Sequence, residues 1–100
     1  MTEKLIRDKL PGLHGSSIND PQYRVADPSE MFDLLIAKLR EETDELEGSR
    51  ELEELADILE VALALAPVLG VTPEWIEGAR QSKARATGGF KERIVWILSD

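Results

Sequence analysis

Between Arg40 and Val61 the chain places ten acidic side chains in twenty-two residues, and the segment passes directly into the apolar ILEVALALAPVLG. Carboxylates so closely set do one of two things: they coat a solvated helix face, or they converge on a cation. Helical geometry separates the cases, because each residue advances about 100° around the axis. With Glu41 at zero, Glu45 falls at about 40° and Glu42 at about 100°, while Leu34, Met31 and Leu35 fall at about 20°, 80° and 120°. On the following segment, with Glu54 at zero, Asp57 falls at about 300°, beside Val61 at about 340° and Leu65 at about 20°. Glu41, Glu42, Glu45, Glu54 and Asp57 therefore continue the apolar stripes, and are expected to point inward. Asp44, Glu47, Glu51 and Glu53 are expected to face solvent.

Five carboxylates on facing surfaces repel one another, and each bears a desolvation cost if buried without a partner. A shifted pKa or a hard divalent cation relieves that cost. Oxygen ligands without His or Cys favour Mg²⁺, or Mn²⁺, over zinc. The competing reading is a non-catalytic acidic helical module, its charges balanced by neighbours such as Lys38 and Arg40, that binds a metal or a protein partner.

The elements that must position these residues follow from local signals. The first ten residues read as a short helix or turn stopped by Pro11 and Gly12, and residues 12–28 as a loop with an extended piece at Tyr23-Arg24-Val25. Asp27 or Ser29 caps a helix from Ser29 to Glu47 that stops at Gly48-Ser49. Ser49 caps the next, periodic from Leu52 to Leu69, with Pro67 in its last turn and Gly70 after it. Thr72-Pro73-Glu74 starts a helix to Ala86, and FKERIVWIL after Gly88-Gly89 reads as a short strand or extended tail. The expectation is one all-α domain over residues 1–100, a helical bundle built on a central antiparallel hairpin. The apolar run from Val61 to Val71 exceeds what a lone hairpin covers, so assembly into a homodimer or homotetramer is expected.

Composition narrows the partners. A net charge of −8 argues against a nucleic-acid backbone, which clustered Lys and Arg would bind. No cysteine is present, so disulfides, thiolate zinc sites and cysteine nucleophiles are excluded. The N-terminal MTEKLIRDK lacks the apolar core of a signal peptide, and no apolar run approaches the ~20 residues of a membrane span. A soluble, cytoplasmic chain with no membrane partner is the expectation.

The paired motifs Glu41-Glu42-Thr43-Asp44-Glu45 and Glu54-Leu55-Ala56-Asp57 resemble those of MazG-like nucleoside triphosphate pyrophosphohydrolases, in the all-α superfamily that also holds phosphoribosyl-ATP pyrophosphohydrolase and the dimeric dUTPases. KLIRDKLP from Lys4 to Pro11, YRVAD, KLREE, ELADILEV and K-x-R-x-x-GGF-x-x-R resemble its small single-domain subgroup, so that the likeness covers nearly the whole chain. The resemblance implies hydrolysis of an NTP or dNTP to the monophosphate and pyrophosphate, as in clearing surplus or non-standard nucleotides. It implies Mg²⁺ on Glu41, Glu42, Glu45, Glu54 and Asp57, and phosphate contacts from Lys83 and Arg85. Lys38 is a further candidate for the triphosphate, as are Lys4 and Arg7, which share a face if the first residues are helical. Glu41 or Glu42 is the candidate general base. Phosphoribosyl-ATP and dUTP are alternative substrates for the same chemistry.

Overall fold

The structure, a computed structural model, describes residues 3–99 and contains only helices and loops among them. Residues 3–7 form an irregular segment, and a turn at Asp8-Lys9 leads into a single helical turn, α1 (Leu10–Leu13). Of the short helix or turn expected over the first ten residues, the described part holds the turn, and the helix begins only at Leu10. Pro11 begins a helical turn instead of stopping one, since its ring is tolerated in the first turn, where no N–H is required. Lys4 and Arg7 consequently share no helical face.

A loop follows to a 3₁₀ turn at Pro28–Glu30, where the Glu30 side chain accepts the Asp27 N–H at 2.8 Å and the Glu30 N–H returns to the Asp27 carbonyl at 2.9 Å. That turn delivers the chain into α2 (Met31–Ser49). Gly48 and Ser49 stay inside α2, two residues beyond the expected stop. The helix ends at Arg50, in the left-handed conformation at φ 56°, with its N–H on the Leu46 carbonyl. Ser49 caps no helix; its hydroxyl accepts the Glu51 N–H at 3.2 Å, and Glu51 stands at the cap position of α3 (Leu52–Val68).

Only Arg50 and Glu51 separate α2 from α3, and the two helices pack along one another as an antiparallel hairpin. Pro67 is accommodated in the last turn of α3. The chain then bends by 111° into α4 (Pro73–Thr87), whose Thr72 cap accepts the Trp75 N–H at 3.1 Å. α4 packs on α3 and not on α2.

Beyond Gly88, residues 88–99 are neither helix nor strand, so the expected C-terminal strand is absent among the described residues. A strand needs a neighbour to complete its hydrogen bonds, and no other strand is present in the described chain. Phe90 and Ile94 to Leu98 are exposed there.

The buried apolar core consists of Leu35, Val61 and Ala66, and no large side chain is fully enclosed. The radius of gyration is 17.2 Å, against about 13 Å for a compact chain of this length. The described residues form a hairpin with α4 packed on its second arm and an irregular tail beyond, less compact than a globular chain of this length. No single helix among them is long and apolar enough to cross a membrane.

Arg50 carries the steric cost of a left-handed residue at the hairpin connection, which glycine avoids. Arg50→Gly is expected to stabilise the chain by about 0.5–1 kcal/mol, the greater freedom of glycine when unfolded offsetting part of the gain. Urea titrations of both chains measure this, and a destabilised variant would show that Arg50 contributes more than its backbone.

Candidate metal centre

The hairpin determines which carboxylates meet. Glu42 on α2 and Glu54 and Asp57 on α3 each offer an oxygen, and these three atoms all lie within 4.8 Å of one another. Glu54 and Asp57 stand one turn apart on the α3 face that Val61 continues, and Glu42 sits opposite, in line with Leu35.

Glu42 is only 5% exposed. Its Oε1 is 3.2 Å from Lys38 Nζ, one turn earlier on α2, but its Oε2 is enclosed and has no hydrogen-bond partner. Glu54 Oε2 is likewise enclosed and unpartnered. Buried polar atoms are ordinarily satisfied, and two orphaned carboxylate oxygens in one cluster point to a missing cation or proton.

The proton alternative is visible in the electrostatics. Burial, followed by the adjoining carboxylates of Glu45 and Glu42, pushes Glu54 up to about 7. Glu41 moves the other way, held below the usual carboxylate range by a 2.9 Å hydrogen bond from Lys4, with Lys38 adding to the effect. Asp57 Oδ1 accepts a 2.6 Å bond from Arg7 Nη2, which holds the guanidinium further above its ordinary value.

Of the five acids expected to point inward, the structure brings three together and leaves Glu45 exposed, while Glu41 is paired with Lys4 and Lys38. Glu42, Glu54 and Asp57 form the triad; Glu41 is its neighbour on α2, and the exposed Glu45 lies near enough to help raise Glu54. Asp44, Glu47, Glu51 and Glu53 are exposed, as the helical wheel places them. The basic candidates divide differently. Lys38, 17% exposed along its side chain, bridges Glu41 and Glu42, and Lys4 and Arg7 are engaged with Glu41 and Asp57. Lys83 and Arg85 are exposed near the end of α4 and make no ion pair among the described residues. The structure does not bring these two to the cluster, because α4 leaves α3 at its sharp bend.

Two features escaped the sequence reading. Arg24 grips both Glu3 and Glu30, at 3.0 and 2.8 Å, tying the N-terminal segment to the entrance of α2. That tie helps frame a cavity of about 660 Å³ between the N-terminal segment, the 18–26 loop and the first turn of α2, lined by Ile18, Tyr23, Val25, Met31 and Leu34 among others. The Arg24–Glu30 spacing carries no helical signal; both features depend on how the loop folds back.

Models of known protein families, curated proteins and solved structures contain no match to this chain. What defines it is its architecture: an α-helical hairpin carrying an oxygen-only candidate metal centre.

The folded value of Glu54 lies above the ordinary 4.5, so the native chain retains a proton that the unfolded chain releases. The stability this supplies is fully present below about pH 4.5 and is lost as pH rises through about 7. In chelator, wild type is expected to lose thermal stability from this source across that window, and Glu54→Gln to lack that component of the slope. Melting both chains from pH 4 to pH 8 checks this; equal slopes would place the titration on another group.

Proposed function

We propose that the chain is a Mg²⁺-dependent nucleoside triphosphate pyrophosphohydrolase, converting an NTP or dNTP and water to the monophosphate and pyrophosphate. The observation that carries this reading is the pair of enclosed, unpartnered oxygens, Glu42 Oε2 and Glu54 Oε2, within a three-carboxylate cluster. The order and spacing of the acidic motifs, and their likeness to MazG-like enzymes, support it.

The donor set fits a hard cation, since every group is a carboxylate oxygen. Glu42, Glu54 and Asp57 would hold the metal, with Glu45 in reserve beside Glu54. When bound, Mg²⁺ or Mn²⁺ supplies charge neutralisation for phosphoryl oxygens and acidifies a bound water. Glu41 or Glu42 would accept the proton of the attacking water. Lys38 holds Glu41 and Glu42 in register from one turn away. The adjoining cavity has a volume suited to a small organic ligand and places Tyr23 among apolar side chains.

Pyrophosphate release from a panel of NTPs and dNTPs, with dUTP and phosphoribosyl-ATP included, tests the reaction and selects the substrate. Turnover is expected with Mg²⁺ and none with chelator. Glu42→Gln and Asp57→Asn are each expected to lower kcat roughly hundredfold or more, the scale of losing one charge-stabilising group. No turnover of any nucleotide, or unchanged turnover in both variants, would leave the acidic cluster as a non-catalytic binding module.

The same reading includes self-association. Leu52, Leu55 and Leu59 repeat along one side of α3 and are 81%, 54% and 60% exposed. A stripe of this extent is characteristic of an interface, and a second copy would close the open hairpin into a bundle. Light scattering after size exclusion is expected to give a dimer or tetramer, and Leu55→Glu with Leu59→Glu to shift it toward monomer. A monomeric wild type at micromolar concentration would overturn the assembly.

A further inference from the structure

We propose that Lys4 and Arg7 form a cationic strap that supplies the acidic cluster with counter-charge and is exchanged for a divalent cation when one binds. The inference rests on reading the cluster as a divalent-cation site. Lys4 Nζ reaches Glu41 on α2 at 2.9 Å, and Arg7 Nη2 reaches Asp57 on α3 at 2.6 Å. One short segment therefore binds a carboxylate on each arm of the hairpin, across the triad. Its two positive charges equal those of a single divalent ion.

The segment is built to let go. Between Glu3 and Arg7 it has neither helix nor strand, so its release breaks no regular hydrogen-bond ladder. It is tethered at both ends, by the Arg24–Glu3 pair and by the buried Pro11. The strap can thus leave the carboxylates without leaving the molecule. The Lys4 and Arg7 side chains are 60% and 55% exposed, and ion pairs with this much access to water are worth a factor of only about two to five each in an equilibrium. The strap does not reach the enclosed Glu42 Oε2, which is still without a partner while both cations are engaged. A small ion satisfies that atom where a long side chain does not.

Exchange has a second result. Lys4 and Arg7 also wall the 660 Å³ cavity, so the cationic heads released by the metal lie beside it. They are then free for an oxyanion-bearing ligand, and metal loading and anion binding favour one another.

Calorimetric titration of the full chain with Mn²⁺ tests the exchange. Lys4→Gln and Arg7→Gln are each expected to bind Mn²⁺ about two- to fivefold more tightly than wild type, and the double variant more tightly still. Arg80→Gln, which removes an equal charge from the separate Glu77 pair on α4, is expected to leave the affinity unchanged. Affinities in the strap variants equal to or weaker than that of Arg80→Gln would overturn the strap, even with Mn²⁺ bound by wild type and lost in Glu42→Gln, a result that leaves the metal centre standing. No binding by any chain at millimolar Mn²⁺ would remove both readings. In wild type itself, the Arg7 Nε resonance is expected to move toward that of a free guanidinium on adding Mg²⁺. A resonance that stays in place while metal binds counts against exchange.

Discussion

Repulsion among carboxylates on the facing surfaces of one helical hairpin is the constraint on which the rest of this structure depends. Glu42 is almost wholly buried opposite Glu54 and Asp57, in a position where the apolar stripes would otherwise continue. A charge buried in this way must be offset, and the chain does so by several means at once. Lys38 leans back along α2, Lys4 and Arg7 reach across from the N-terminal segment, and Glu54 retains a proton into the neutral range. The three cations together leave Glu42 Oε2 and Glu54 Oε2 without a partner. The arrangement sets destabilising charge at the centre of a very small core.

The helices were legible from the sequence because their signals are local. Thr72-Pro73 opens α4, and the apolar period of α3 runs from Leu52 as its spacing requires. The inward carboxylates were legible for the same reason, since residues three and four apart share a face whatever the rest of the chain does. The failures are equally physical. Pro11 was taken as a stop, although proline is compatible with the first turn of a helix, and Gly48 could be carried because α3 packs alongside. The tail from Phe90 to Leu98 has strand-forming residues but lacks an edge to join. Lys4 and Arg7 belong to the site through a fold-back of the chain, which no periodicity encodes.

The open shape connects the core to the functional reading. Among the described residues the buried apolar core is small, built on Leu35, Val61 and Ala66, and α4 packs on α3 and not on α2. Much of the apolar surface of α3 is exposed, on the helix that carries Glu54 and Asp57. Whatever covers that surface also fixes the orientation of α3, so covering the apolar stripe and holding the carboxylates are mechanically linked.

The shortness of the connection at Arg50-Glu51 has a kinetic consequence. Glu42 and Asp57 are fifteen positions apart, so the centre is assembled from one local stretch of chain. Closing so small a loop has a low entropic cost, and local contacts of this kind form early. The carboxylates are therefore expected to meet before the N-terminal segment folds back to neutralise them. Of the cations paired with the cluster, only Lys38 lies on the hairpin itself, so at that stage the repulsion is less fully offset. A divalent cation present during folding would act on the barrier itself, so its concentration would set how fast the hairpin closes as well as how stable the finished chain is.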